Sequence, residues 1–439
     1  MKRILFFLAT AISLSFNAQV SCDGGRYASN IFEQVSTTPN VQYGSNTSFS
    51  GGNTNLFFDF YQGQGDQATE RPLIIWVHGG SFIGGSRTDI DVKTLSERFA
   101  KKGFACASIS YRLGFFPFDS ANAVRAVVRA TQDLKAAIRY FYKDRATDNV
   151  YKIDTNNIFI GGSSAGAITA LHVAYLDKEC EIQDYLSANV IQQLGGLDGN
   201  SGNPGYSTRV KGVLNGCGAL ARYSWLDAGE VPVASVHGTN DGTVLYNRGI
   251  VNPGTPLMYL DGSRMIHERA CAVGVDNQFY TFPNAPHVPY AGTGTAALAY
   301  MDTTERFYRD FLVRQLGCDL PQLQPENVRM QGVTLYPINY CDNSPVDEVC
   351  PLSVGLFEEV ANTFKVYPNP SNDAITLTFD GGNEINVEIV DLTGRKMKSI
   401  SQVLSGISID ISDLKSGNYL VQVKSSNFQI IKTKSIIKI

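Results

Sequence analysis

The sequence predicts an α/β fold with a mostly parallel sheet covered by helices on both faces, followed by a small β-sandwich. Three observations carry this. Strand-like runs alternate with helical stretches from about Gln19 to Cys318. The runs are apolar throughout rather than at every second residue, the pattern of parallel strands buried on both faces. From Thr363 onward short alternating strands appear, separated by turn residues, and histidine and cysteine vanish, as expected of a small sandwich.

The elements follow in order. "PLIIWVHGG" (72–80) is a strand ending in glycines, and "VKTLSERFAKKG" (92–103) is an amphipathic helix with a glycine stop. "FACASISYRLG" (104–114) is the next strand, and 123–144 has helical spacing over several turns. "NIFIGG" (157–162) is a strand that leads into the helix "AGAITALHVAYL". Residues 210–218, 231–238 and 277–283 are further strands, and 295–317 reads as a closing helix. Ligand sites in such sheets lie at the carboxyl ends of the strands. Residues 321–362 have no clear period and read as a linker or wrapping segment. Strands such as "AITLTF", "INVEIVD" and "NYLVQVKSS" then fill 363–439.

The bulk properties bound the function. The 439 residues are 43% hydrophobic and 18% charged, with a net charge of -4. This permits a large core and gives no basic surface for nucleic acid. "MKRILFFLATAISLSFNAQ" has a basic start, a short apolar core and Ala18 at the expected cleavage point, so 1–18 read as a secretory signal peptide. The apolar run is shorter than the ~20 residues of a spanning helix, so no stable transmembrane anchor is expected. Eight cysteines follow the signal, Cys22, Cys106, Cys180, Cys217, Cys271, Cys318, Cys341 and Cys350. In an exported chain they allow disulfides of open connectivity. Cys341 and Cys350 flank a polar loop suited to local pairing, and Cys106 suits a buried thiol. No C-x-x-C pair suggests a metal site.

A serine hydroxyl is a weak nucleophile and needs a base held by an acid. "NIFIGGSSAGAITAL" (157–171) offers two serines. A nucleophile on a sharp strand-to-helix turn needs small residues two before and two after it. Ser164 has Gly162 and Gly166 there, whereas Ser163 has Gly161 and Ala165. Ser164 is therefore the expected nucleophile, and Ser163 is left a packing or hydrogen-bonding role. "HGGSFIGGS" (78–86) follows an early strand, where backbone N–H groups of Gly80 and Ser81, with Ala165, can hold an oxyanion. Gly79 replaces one donor if the register shifts by one, and His78 is expected to brace the loop. The acid and histidine should follow the serine in that order. Asp241, in "HGTNDGTV", and His287, in "FPNAPHVPY", both follow strand ends and meet the requirement. His172 is expected to pack inside its helix, and His237 and His267 have no assigned chemistry.

These pieces resemble the α/β-hydrolase carboxylesterases with an HGG-type oxyanion loop, among them hormone-sensitive-lipase-like, type-B carboxylesterase and bacterial feruloyl-esterase-like enzymes. The resemblance runs over most of 72–317, with Ser81 in place of the third glycine of the loop and Ala167 where many members have glycine. It implies an α/β-hydrolase catalytic domain over 19–320, a serine esterase with an acyl-enzyme intermediate, and no metal or cofactor. The tail, with "FKVYPNPSNDAITLTF" and "ISDLKSGNYLVQVKSS", resembles type A sorting domains of the type IX secretion system. It implies secretion or surface display through the periplasm and outer membrane, with the secretion machinery as partner.

Phe82, Phe115 and Trp225 are candidates for lining an acyl pocket. The polar insert from Asp177 to Thr208 sits where hydrolases carry a lid, and its polarity points to small or plant cell-wall esters (acetyl or feruloyl). Polyesters are the alternative substrate. A prolyl-oligopeptidase-type peptidase and an inactive surface adhesin are the alternatives of other classes.

Overall fold

A computed structural model describes residue 22 and residues 25–318, 363–379, 385–424 and 430–439. The expected signal peptide over 1–18, the linker over 321–362 and the Cys341–Cys350 pairing lie outside the described residues. The chain divides into two compact units, Met1–Val349 and Cys350–Ile439.

The first unit opens with β1 (Val35–Thr47), β2 (Asn53–Gly63) and β3 (Arg71–Val77). There follow α1 (Ile90–Lys101), β4 (Ala105–Ile109), α2 (Ser120–Ala146), β5 (Ile153–Ser163) and α3 (Ala165–Tyr175). Next come α4 (Glu179–Gln183), α5 (Ala188–Leu194), β6 (Gly212–Gly216), β7 (Ala219–Leu220) and β8 (Val233–Gly238). The unit closes with β9 (Arg248–Ile250), β10 (Tyr259–Gly262), α6 (Ser263–Ala272), β11 (Asn277–Phe282) and α7 (Thr295–Gln315).

Eight strands make one sheet in the order β1-β2-β4-β3-β5-β6-β8-β11. From β4 to β11 every pairing is parallel, while β1 and β2 join antiparallel at one edge. This is the α/β-hydrolase arrangement. Pleating sends alternate residues of β3 to opposite faces. Leu73, Ile75 and Val77 pack with Leu134 and Phe141 of α2 and Ile168 of α3. Ile74 and Trp76 pack with Phe99 of α1 and Phe311 of α7. Both faces are thus dry, which is why β3, β4, β6 and β8 are buried at every residue.

Local chemistry sets the boundaries. The Asp119 side chain accepts a hydrogen bond from the Asn122 N–H at 2.8 Å and so starts α2 three residues before the expected 123. β4 stops at Ile109, short of the expected Gly114, because the chain leaves the sheet to bury Arg112 against Asp133 of α2, Nε to Oδ1 2.9 Å. The first unit is tied end to end by a disulfide between Cys22 and Cys318, whose Cα atoms are 6.0 Å apart. Cys106 and Cys217 are buried free thiols.

The insert from Asp177 to Thr208 holds α4 and α5, and its second half is fastened to α2. The Gln132 amide donates to the carbonyls of Leu194 and Gly196 at 2.8 and 2.7 Å. The Ser201 hydroxyl donates to Asp133. A smaller sheet, β7-β10-β9, lies beyond β6.

The second unit has β12 (Lys365–Tyr367), β13 (Ala374–Thr378), β14 (Ile385–Asp391), β15 (Lys396–Val403), β16 (Ser408–Asp410), β17 (Gly417–Lys424) and β18 (Ile430–Lys438). They form two sheets, β12-β13-β16 and β15-β14-β17-β18. Ile375 and Leu377 of one and Val387, Ile389, Val421 and Val423 of the other share a single core.

Candidate active site

The sheet's strand order reverses at β3, between β4 and β5. Loops that leave the carboxyl ends of strands on either side of such a point diverge and open a crevice. The turn from β5 into α3 carries Ser164, and the loop after β3 carries His78 to Ser86.

Ser164 has φ 55 and ψ -122, a conformation that is strained for a non-glycine residue. The turn is held tight by what lies beneath it. A Cβ on Gly162 would stand 2.3 Å from the Val77 carbonyl oxygen, and one on Gly166 only 1.9 Å from it. Both glycines of the expected frame are therefore required by the approach of β3. Ser163, the other serine, is buried, with its hydroxyl 2.9 Å from that of Tyr290.

His287 Nε2 lies 2.8 Å from Ser164 Oγ, and His287 Nδ1 lies 2.6 Å from Asp241 Oδ2. The structure thus brings the three expected residues into one hydrogen-bonded relay. Asp241 Oδ1 accepts the N–H groups of Thr243 and Val244, both at 2.9 Å. Burial alone would raise the Asp241 carboxyl. Hydrogen bonds from His237 and His287, with their charge, outweigh it and hold the group well below the usual carboxylate range. Cys217 brings a thiol into the same corner, where the three side chains present ligand atoms within 4.8 Å of one another. Burial pushes that thiol up to about 12. The carboxylate and imidazole are engaged with each other, so the cluster suits proton handling better than metal binding.

The loop after β3 is braced from behind. The His78 ring stacks on Tyr111 with centroids 4.5 Å apart, and its Nδ1 lies 2.7 Å from the Gly79 carbonyl oxygen. The Tyr111 hydroxyl donates to the His78 and Gly79 carbonyls at 3.1 and 3.2 Å. The N–H groups of Gly80, Ser81 and Ala165 have no acceptor among the described residues. Gly79, Gly80, Ser81, Ser164 and His287 line one open cleft.

Residues 58–202 match the BD-FAE family, and residues 365–438 match the secretion system C-terminal sorting domain. The chain is 29% identical over 140 residues to gut esterase 1 of Caenorhabditis elegans, 31% of this chain and 24% of that protein. It is 33% identical over 100 residues to mouse carboxylesterase 3B, 23% of this chain and 16% of that protein. The chain thus spans about a quarter or less of the length of these relatives. Among solved structures, the apo form of Thermogutta terrifontis esterase 2 is similar with a TM-score of 0.48 and 18% identity, over 66% of this chain and 98% of that one. Among the described residues no helix is long and apolar enough to cross a membrane.

Beside Ser164 the first unit holds a cavity of about 780 Å³, open solvent at its mouth included, lined almost wholly by carbon. Phe82, Phe115 and Trp225, the expected pocket residues, all line it. The insert contributes Ile182 and Tyr185, and the β9–β10 hairpin contributes Val251, Pro253, Leu257 and Met258. The insert is polar by composition, yet the side chains it turns to the cavity are not. Its polarity therefore says nothing of how wet the pocket is.

Two histidines have roles that sequence reasoning did not assign. His237, at the end of β8, is fully buried with Nε2 3.1 Å from Asp241 Oδ2. The i,i+4 spacing of His237 and Asp241 in "HGTND" was the available signal. His172 packs within its helix as expected but also lines the cavity.

Proposed function

We propose that the protein is an exported serine carboxylic-ester hydrolase in which Ser164, His287 and Asp241 are the catalytic residues. The relay Ser164–His287–Asp241, with contacts of 2.8 and 2.6 Å, carries this reading. Ser164 Oγ attacks the ester carbonyl carbon while His287 Nε2 takes its proton. The oxyanion receives hydrogen bonds from the N–H groups of Gly80, Ser81 and Ala165. Collapse breaks the bond to the alcohol, which leaves with the proton from His287. Water, activated by the same imidazole, then releases the acid and restores Ser164. Asp241 accepts the Nδ1 hydrogen throughout and stabilises the imidazolium. The chemistry uses these side chains and needs no metal or cofactor.

The apolar cavity supports a substrate with an apolar acyl group. Of acetyl and feruloyl, it favours the larger. Burying each methylene contributes about 0.8 kcal/mol, so kcat/KM should rise a few-fold per carbon until the cavity is full. A series of nitrophenyl esters from acetyl upward, with a cinnamoyl member, tests this. A maximum at acetyl would overturn the acyl-pocket assignment, and hydrolysis that survives Ser164→Ala would overturn the esterase reading. The sorting-domain match supports export by the type IX machinery to the cell surface or medium, with that machinery as the tail's partner.

A further inference from the structure

The loop that carries His287 is strained beside the imidazole. Val288 has φ 42, a left-handed conformation that a β-branched residue keeps only when its surroundings hold it there. Before His287 the loop is fixed to the end of β8. The Asn240 N–H donates to the Ala285 carbonyl at 3.0 Å, and the Asn284 N–H donates to the Thr239 hydroxyl at 2.8 Å. After His287 two side chains hold it. The Cys217 sulfur is hydrogen-bonded to the Val288 backbone. Tyr290, three residues beyond His287, reaches under the elbow and sets its hydroxyl 2.9 Å from Ser163 Oγ. Ser163 directly precedes Ser164, so this one contact joins the turn of the nucleophile to the loop of the histidine.

Strand β6 makes room for the contact. A Cβ on Gly216 would stand 2.0 Å from the Tyr290 hydroxyl oxygen, and the Gly216 carbonyl accepts the Ser164 N–H at 2.8 Å. The hydrogens follow one order. Burial pushes the Tyr290 phenol well above its ordinary value, so it keeps its hydrogen and can donate. Asp91, in the first turn of α1, is hydrogen-bonded to the Ser163 hydroxyl. Burial raises the Asp91 carboxyl, and the bonds from Ser163 and from the backbone N–H groups of Val92 and Asp91 oppose it. A carboxylate only accepts, so Ser163 donates to Asp91 and is left to accept from Tyr290. Asp91, Ser163 and Tyr290 are all buried.

We propose that the hydrogen-bonded chain Tyr290–Ser163–Asp91 is a latch that sets His287 over Ser164, and that these three are positioning residues of the esterase proposed above. The inference rests on that reading. The two adjacent serines then divide the work: Ser164 supplies the reacting oxygen, and Ser163 fixes where the base stands relative to it. Both proton transfers of the reaction pass through His287 Nε2, so loss of the latch slows acylation and deacylation alike. The walls of the acyl cavity include none of the three. The effect therefore falls on kcat and spares KM.

Nitrophenyl ester kinetics on Ser163→Ala, Tyr290→Phe and the double variant test this. Each single variant removes one hydroxyl and should lower kcat about tenfold, the size of one lost buried hydrogen bond, with KM nearly unchanged. The double variant breaks the same link and should be no worse than the lower of the two singles. Asp91→Ala should fall likewise, and Asp91→Asn, which keeps an acceptor for the Ser163 hydrogen, should recover part of the loss. Tyr308→Phe is the control. It removes from the same core a buried hydroxyl that has no partner among the described residues, and kcat should hold. Thermal unfolding beside the assays shows which variants fold; if Asp91→Ala does not, the Ser163–Tyr290 cycle decides alone. A wild-type kcat in either single variant overturns the inference. So does a double variant down about a hundredfold, which would make the two losses independent. A rise in KM at constant kcat also overturns it, because it would place the pair in substrate binding. In each of these cases wild type still cleaves the esters and the esterase reading stands. If wild type cleaves none, that reading falls and takes the latch with it.

Discussion

His237 and His287 share one oxygen of Asp241. His237 Nε2 lies 3.1 Å from Oδ2 and His287 Nδ1 lies 2.6 Å from the same atom. His237 Nε2 is also 2.9 Å from the Val244 carbonyl oxygen. Both neighbours are acceptors, so the hydrogen belongs on Nε2, and Nδ1 accepts from the Ser263 hydroxyl at 2.7 Å. Ser263 in turn receives the Asn215 amide at 2.9 Å. Asp241 is thus held from behind by a buried chain that runs back to β6.

His237→Phe removes that support without touching Ser164 or His287. The lost hydrogen bond is worth about 1 kcal/mol or somewhat more, so kcat should fall about tenfold while KM stays nearly constant. Partial recovery in His237→Gln, which keeps a donor, separates positioning from simple damage to the fold. Steady-state kinetics that find kcat unchanged in His237→Phe would remove His237 from the relay.

The depressed Asp241 carboxyl makes stability depend on pH with a definite sign. An acid whose native pKa lies below its unfolded value, about 3.9 for aspartate, stabilises the fold fully above that value. The contribution is lost as pH falls through the native pKa. The melting temperature of wild type should therefore exceed that of Asp241→Asn by a constant margin above about pH 5, and the margin should shrink as pH falls below about 4. A margin that grows on acidification would contradict the assignment.

Gly166→Ala should be far worse than an ordinary helix substitution. Alanine is normally the better helix former by about 1 kcal/mol. Here its Cβ would stand 1.9 Å from the Val77 carbonyl oxygen and 2.7 Å from that of His78. Moving β3 or the elbow should destabilise the domain by about 3 kcal/mol and displace the Ser164 hydroxyl. Denaturant unfolding with a parallel activity assay checks both effects. A neutral or stabilising result would show that the elbow is not pressed against β3.

Much of the site was legible because its demands are local. Small residues at Gly162 and Gly166 answer to one carbonyl of β3. The order of Ser164, Asp241 and His287 follows from strand succession. What stayed hidden depends on distant packing. Strand β1 has a single buried residue, so it lacks the continuous apolar run of the central strands. The cavity wall comes from the insert and from the β9–β10 hairpin, brought together only by the fold. A polar composition misled because Ile182 turns inward while Gln183 and Asp184, next along the chain, face water. The bond between Cys22 and Cys318 closes 296 residues, a separation that local pattern does not encode.

The most direct test of the central claim is covalent. The purified protein is incubated with a fluorophosphonate, and the adduct is located by peptide mass spectrometry and timed in wild type, Ser164→Ala and His287→Ala. The expected result is a single adduct on Ser164, absent from Ser164→Ala and slowed by about a thousandfold or more in His287→Ala, as for residues that act as one unit. An adduct on Ser163, or equal labelling of wild type and Ser164→Ala, would contradict the claim that Ser164 is the nucleophile.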